Sequence, residues 1–135
     1  MNTEQIFNQI GINPLKAVSL MENLDISIEQ LNDPYVIYRL ESIVDFLKNY
    51  DDDSQSFFIK KATLGKQDKL KVLSEYIKLI EKRNFFEKVS DEINREKESN
   101  LNSNDLLKMK EIQEKESANN ARLSLLKEEI ELYHK

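Results

Sequence analysis

The placement of the four helix-breaking residues constrains this chain more than any other feature of its sequence. Residues 1–65 contain both glycines and both prolines, whereas residues 66–135 contain neither. Each proline directly follows an Asn or Asp, in Asn13-Pro14 and Asp33-Pro34. Asn and Asp side chains cap the first turn of a helix, and proline is well tolerated at the first helical position. The breakers therefore predict short helices in the first half of the chain and long helices in the second.

The first half divides into several predicted short helices. Gly11 and Gly65 each follow a run of polar and apolar residues, where glycine can adopt the left-handed conformation that ends a helix. Ser27 and Gln30 have the spacing of a capping box, which predicts one further turn of helix. Ser54 is expected to cap a short helix that contains the SFFI stretch. The main predicted helices lie near residues 3–10, 14–24 and 34–50.

The second half is predicted to form an antiparallel helical hairpin. Two breaker-free segments, from Gln67 to about Glu98 and from Asp105 to the end, are separated by the polar sequence SNLNSN at 99–104. Each segment is long enough for a helix of about 45 Å. Two long helices joined by a short polar turn pack against each other as a hairpin.

The last helix carries an apolar stripe with alternating steps of three and four residues. This spacing is typical of coiled-coil-like packing. The predicted fold class is therefore all-α, with an acidic helical subdomain over 1–65 packed on the base of a long hairpin over 66–135. The stripe consists of Met109, Ile112, Glu116, Asn119, Leu123, Leu126, Ile130 and Tyr133.

Two polar interruptions predict how the hairpin helices are aligned. If the chain turns near residues 100–101, facing residue numbers sum to about 200. Glu116 and Asn119, which interrupt the stripe, then lie opposite Arg83 and Asn84. Polar groups in a packed interface penalise alignments that leave them without partners. We therefore expect these four residues to fix the hairpin register, with Arg83 and Glu116 as an ion pair.

Composition excludes several classes of chemistry. The chain has no cysteine, and its only histidine is His134, so thiolate metal sites and a serine–histidine triad are excluded. Two widely separated glycines do not form a phosphate-binding loop. The Asp51–Asp53 run fails as an EF-hand calcium loop, because Ser56 and Ala62 stand where glycine and glutamate are required. We expect no catalytic site, metal, cofactor or small-molecule ligand.

Charge is distributed unevenly along the chain. The formal net charge is −5, yet residues 1–53 hold ten carboxylates and only three basic residues. No stretch has the ~18 apolar residues that a membrane-spanning helix needs, and the N-terminus lacks the pattern of a signal peptide. The sequence thus predicts a protein of the cytoplasm, or of a particle assembled there, without membrane contact.

The function that the sequence favours is non-enzymatic self-association or assembly. An apolar stripe longer than the domain beneath it leaves surface that a partner usually covers. The expected partner is a second copy or a larger protein assembly. The residues predicted to form this surface are Phe85, Phe86, Val89, Ile93, Met109, Ile112, Leu123 and Leu126.

An alternative function is association with nucleic acid. Residues 58–83 hold eight basic and three acidic side chains, and phosphates bind to such clusters. Small helical subunits of viral packaging machines combine these features, although this is an analogy of architecture alone. The overall acidity favours self-association over this alternative. The predicted contacts are Lys60, Lys61, Lys66, Lys69, Lys71, Lys78 and Lys82.

Overall fold

The computed structural model describes residues 2–100 and 105–134, and over these ranges the protein is all-α. No strand is found in either range, which confirms the predicted fold class. A 3-10 helix, Ile28–Asn32, lies between the second and third α-helices. The α-helices are α1 (Thr3–Ile10), α2 (Pro14–Asn23), α3 (Pro34–Leu47), α4 (Asp52–Thr63), α5 (Lys69–Ser99) and α6 (Leu106–Leu132).

The predicted helix starts at the two prolines are confirmed by their capping contacts. The Asn13 side chain accepts a hydrogen bond of 2.9 Å from the Lys16 N–H, and Asp33 accepts one of 2.9 Å from Tyr35. The predicted capping box of Ser27 and Gln30 is also present, at the start of the 3-10 helix. Local cap chemistry thus sets these boundaries.

The start of α4 differs from the prediction. Asp51, not Ser54, is its cap, and its carboxylate accepts a hydrogen bond of 2.7 Å from the Ser54 N–H. This hydrogen bond favours the ionised carboxylate and holds the pKa of Asp51 below its ordinary value of 3.8. The helix therefore begins at Asp52, three residues before the position at which a cap at Ser54 would place its start.

The chain forms two compact units, and the boundary between them falls within α5. The first unit runs to Ile77 and includes His134, and the second covers Lys78–Tyr133. The predicted division at 65/66 lies twelve residues earlier, because the first turns of α5 pack with the short helices. Leu73 and Ile77 of α5 belong to the core of the first unit, together with Leu31 and Ile43.

Aromatic side chains connect the elements of the first unit. The rings of Phe46 in α3 and Phe58 in α4 lie 5.4 Å apart, and Phe58 lies 5.1 Å from Tyr76 in α5. Tyr76 then meets the imidazole of His134 edge-on at 5.7 Å. The short helices therefore pack on the first turns of α5, as the sequence predicts for the base of the hairpin.

The second unit consists of α5 from Lys78 onward and of α6, which pack against each other as a hairpin. Along α6, the buried residues keep the predicted spacing: they are Ile112, Asn119, Leu123, Leu126 and Ile130. Of the predicted turn at 99–104, residues 101–104 lie outside the described ranges. Asp105 caps α6 by accepting a hydrogen bond of 3.1 Å from the Lys108 N–H. The helix thus begins at Leu106.

The predicted register of the hairpin is wrong. Glu116 forms an ion pair with Lys97 and not with Arg83. Arg83 lies about 21 Å from Lys97 along α5. Asn119 pairs with Phe86 and Lys115 with Glu96. Facing residue numbers in these three pairs sum to 213, 205 and 211, not to about 200. The reason is that α6 begins at Leu106, several residues after the assumed centre of the turn.

The residues predicted to fix the register have other roles. The Arg83 guanidinium lies 3.9 Å from Glu87 on its own helix, and Asn84 is exposed. Of the four, Asn119 and Glu116 do connect the two helices, but through the partners given above. No described helix combines the length and apolar character needed to cross a membrane.

Candidate interaction surface of the hairpin

The hairpin core is thin in one part of α5. Ile80 and Ile93 are buried, but no residue between them is. Phe86 and Val89 are only half-buried there, and Phe85 is exposed. Opposite this stretch, α6 presents Asn119, a polar residue, to the interface. At this level α5 therefore contributes little buried apolar surface, whereas α6 contributes Leu123 and Leu126.

Asn119 bridges the helices where the core is thin. Its side chain is buried, and its amide nitrogen donates a hydrogen bond of 3.0 Å to the main-chain carbonyl of Phe86. A buried amide needs such a partner, because burying an unpaired polar group costs free energy. Asn119 thus fixes α6 against α5 beside the exposed aromatic residue.

The exposed and half-buried side chains at this level form one largely apolar surface that includes one arginine. We call this surface the hairpin patch, and it consists of Phe85, Phe86, Val89, Arg122 and Leu125. Phe85 and Leu125 are each 60% exposed. The rings of Phe85 and Phe86 meet edge-on at 5.3 Å. The Arg122 guanidinium covers the Phe86 ring, with its central carbon 5.6 Å from the ring centroid.

Two shallow grooves flank the aromatic pair. Both are lined by Phe85, Phe86 and Arg122. The larger, of about 640 Å³, extends toward Leu125 and the first-unit end of the hairpin. The smaller, of about 360 Å³, extends past Val89 toward the hairpin turn. The patch is therefore a ridge of aromatic side chains between two depressions.

Charged residues surround the hairpin patch in an alternating arrangement. On α5, Lys78, Glu81 and Lys82 line the larger groove and leave one net positive charge there, and Glu92 and Glu96 line the smaller groove. On α6 the order is reversed. Glu129 lines the larger groove, and Lys115 lines the smaller one. Each helix thus carries opposite charges at the two ends of the patch, and the two helices carry them in opposite order.

The residues predicted to form the self-association surface differ in their exposure. Phe85, Phe86, Val89 and Met109 are exposed or half-buried. The other four are buried among the hairpin's own side chains and present no free surface: Ile93, Ile112, Leu123 and Leu126. Leu125 was missed, because it falls outside the stripe with alternating steps of three and four. Leu125 is adjacent to Leu126, and neighbouring residues of a helix point in different directions, so the Leu-Leu pair does not show which of the two faces α5.

The lysines of residues 58–83 do not share one surface. Lys60 and Lys61 are exposed on α4. Lys78 and Lys82 flank the hairpin patch in the second unit. The remaining three lysines gather at a cleft of the first unit with Arg39, a residue that the sequence did not single out: they are Lys66, Lys69 and Lys71.

Neither metal-ligand clusters in the described residues nor comparisons with known proteins indicate a function for this chain. Within residues 2–100 and 105–134, no group of three or more His, Cys, Asp or Glu side chains is arranged to hold a metal ion. No protein-family model, no curated protein and no solved structure matches the chain. The geometry of its own surfaces is therefore the basis for a proposed function.

Proposed function

We propose that this protein is a non-enzymatic structural or assembly subunit that self-associates through the hairpin patch. The observation that carries the proposal is the exposure of Phe85 and Leu125, which line one groove together with the stacked Phe86 and Arg122. Covering one such apolar side chain contributes about 1.5–3 kcal/mol. Two copies would bury at least four of them. We expect it to act in the cytoplasm or in a particle assembled there.

The alternating charges favour a second copy as the partner. In the hairpin register, Lys82 lies level with Glu129, and Glu96 lies level with Lys115. A two-fold axis along the hairpin would place α5 of one copy over α6 of the other. Lys82 would then face Glu129 of the second copy, and Glu96 would face its Lys115, each twice. Charges arranged in this way are complementary to themselves, as an isologous interface requires.

The same axis also matches the apolar groups. Phe85 and Leu125 lie at one level of the hairpin, so each Phe85 would pack on Leu125 of the second copy. The result would be a four-helix bundle in which every neighbouring pair of helices is antiparallel. The other two-fold arrangement would place α5 over α5 and Arg122 against Arg122 of the second copy. Repulsion between these like charges disfavours that arrangement.

The proposal is tested by measuring the molar mass of the protein by light scattering at tens of micromolar. We expect twice the chain mass of 15.9 kDa for the wild type. Phe85→Asp should shift the mass to that of one chain. Leu15→Asp is the matched control, because Leu15 is exposed on α2 and outside the patch. A monomeric wild type, or a Phe85→Asp dimer, would contradict the proposal.

A further inference from the structure

A cleft of about 540 Å³ in the first unit lies beside the start of α5. Its walls come from the loop after α2, the start of α3 and the connection between α4 and α5. Four basic side chains line it: Arg39, Lys66, Lys69 and Lys71. Nothing in the proposed self-association uses this cleft.

Arg39 is the unusual member of this group. It is only 9% exposed, and its Nε is buried without a hydrogen-bond partner. Its Nη1 donates one long hydrogen bond of 3.4 Å to the Lys71 carbonyl, and its guanidinium stacks at 4.2 Å on the Tyr35 ring. A guanidinium has five N–H donors in a planar fork. Since Arg39 is buried with so few acceptors, it can donate further hydrogen bonds to a ligand.

The two carboxylates of the cleft already have partners. Asp25 forms an ion pair of 3.1 Å with Lys69. Asp68 accepts a hydrogen bond of 3.4 Å from the Lys71 N–H at the start of α5. Against these two negative charges stand the four basic side chains, which leave the cleft with a formal balance of +2.

Lys66 is a partly desolvated cation that lines the cleft. Its ammonium donates a hydrogen bond of 3.1 Å to the Ala62 carbonyl at the end of α4. Burial lowers the pKa of Lys66 below its ordinary value of 10.5, because the charged form loses solvation there. An anion in the cleft would restore the lost stabilisation of this charge.

We propose that this cleft binds a phosphate group. The guanidinium fork of Arg39 matches the geometry of phosphate oxygens, and lysines supply point charges around it. The first N–H groups of α5 lie at the edge of the cleft, where a helix start favours an anion. The formal balance of +2 in the cleft matches the charge of one phosphate monoester, which is about −1.5 to −2 at neutral pH.

The proposal is tested by calorimetric titration of the full chain with inorganic phosphate and with pyrophosphate. We expect saturable binding that weakens at least tenfold in Lys71→Gln. Lys60→Gln is the matched control: it removes the same charge from α4, outside the cleft, and should leave the affinity unchanged. Since Arg39 is buried, Arg39→Lys is interpreted only if its circular dichroism spectrum matches the wild type. Folded Arg39→Lys should bind more weakly, because an ammonium cannot reproduce the guanidinium fork.

A second titration identifies the source of the phosphate. A single-stranded oligonucleotide that binds more tightly than pyrophosphate, and is displaced by it, would identify nucleic acid as the ligand. Binding of pyrophosphate alone would indicate a small phosphorylated molecule. The proposal is wrong if neither inorganic probe binds saturably, or if Lys60→Gln and Lys71→Gln weaken binding equally. If the two variants weaken binding equally, the affinity depends on the overall charge of the protein and not on the cleft.

Discussion

The amide nitrogen of Asn119 in α6 lies 3.0 Å from the main-chain carbonyl oxygen of Phe86 in α5 and donates a hydrogen bond to it. Asn119 is 5% exposed, so water does not replace this contact easily. The hydrogen bond crosses the hairpin at the level where the aromatic ridge of the hairpin patch begins. It therefore links the stability of the hairpin to the position of that ridge.

Replacing Asn119 with alanine should destabilise the hairpin. The substitution removes one buried hydrogen bond and leaves a small void, which together should lower the free energy of unfolding by about 1–2 kcal/mol. Asn120→Ala is the matched control, because Asn120 is an exposed neighbour of the same type. Its substitution should be neutral or slightly stabilising, since alanine is the better helix former. Urea unfolding measures both. Equal effects at the two positions would show that the bridge contributes nothing.

The ion pair of Lys97 and Glu116 should be detectable as a coupling between the two helices. Both side chains are partly exposed, at 41% and 32%, so the coupling should be about 0.2–1 kcal/mol. A double-mutant cycle with Lys97→Met and Glu116→Gln, followed by urea unfolding, measures it. The same cycle with Arg83→Met in place of Lys97→Met should give no coupling. Coupling of Glu116 to Arg83 instead would restore the register that the sequence alone predicted.

Charge reversal should test the arrangement of the proposed dimer. Lys82→Glu would place like charges against Glu129 of the second copy, and Glu129→Lys would do the same against Lys82. Each single variant should therefore weaken self-association, and the double variant should recover it. Sedimentation velocity over a concentration series measures the dissociation constants. If the double variant associates no better than the singles, the charges do not face each other across the interface.

The Asp51 cap should make the stability of α4 depend on pH. Its pKa is lowered in the folded protein by the hydrogen bond from the Ser54 N–H, so the ionised form stabilises the fold. This stabilisation is fully present above the ordinary pKa of 3.8 and is lost as the pH falls through the lower folded value. Wild type should thus exceed Asp51→Ala in thermal midpoint at pH 7, with a smaller difference near pH 2. The control is Asp51→Asn, whose uncharged cap should not titrate. A constant difference between wild type and Asp51→Ala would contradict the role of ionisation.

Features that depend on neighbouring residues in the chain were predictable from the sequence. The caps at Asn13 and Asp33 and the Ser27–Gln30 box are local, since each side chain reaches a main-chain group two or three residues away. The all-α fold follows from these signals and from the absence of glycine and proline after Gly65. No tertiary information was needed for them.

The register and the exposed surfaces were not predictable in the same way. The register depends on where α6 begins, and Ser103, Asn104 and Asp105 are all residue types that can cap a helix. An apolar stripe identifies a helix face but does not show which side chains the partner helix covers, so Ile112 and Phe85 looked alike. Arg39 gave no signal, because only tertiary packing brings it beside Lys71, 32 residues further along the chain.

The contact between Tyr76 and His134 has a consequence for the order of folding. The Tyr76 hydroxyl and the His134 imidazole lie 3.4 Å apart although 58 residues separate them in sequence. Closing so long a loop has an entropic cost that grows with its length, and it is lowest once the intervening chain is already compact. The short helices around Ile43 contact one another across shorter separations along the chain, as α1 does with α3, and can pack earlier. His134 should therefore reach Tyr76 only after α5 and α6 have paired, as one of the last steps to a complete first unit.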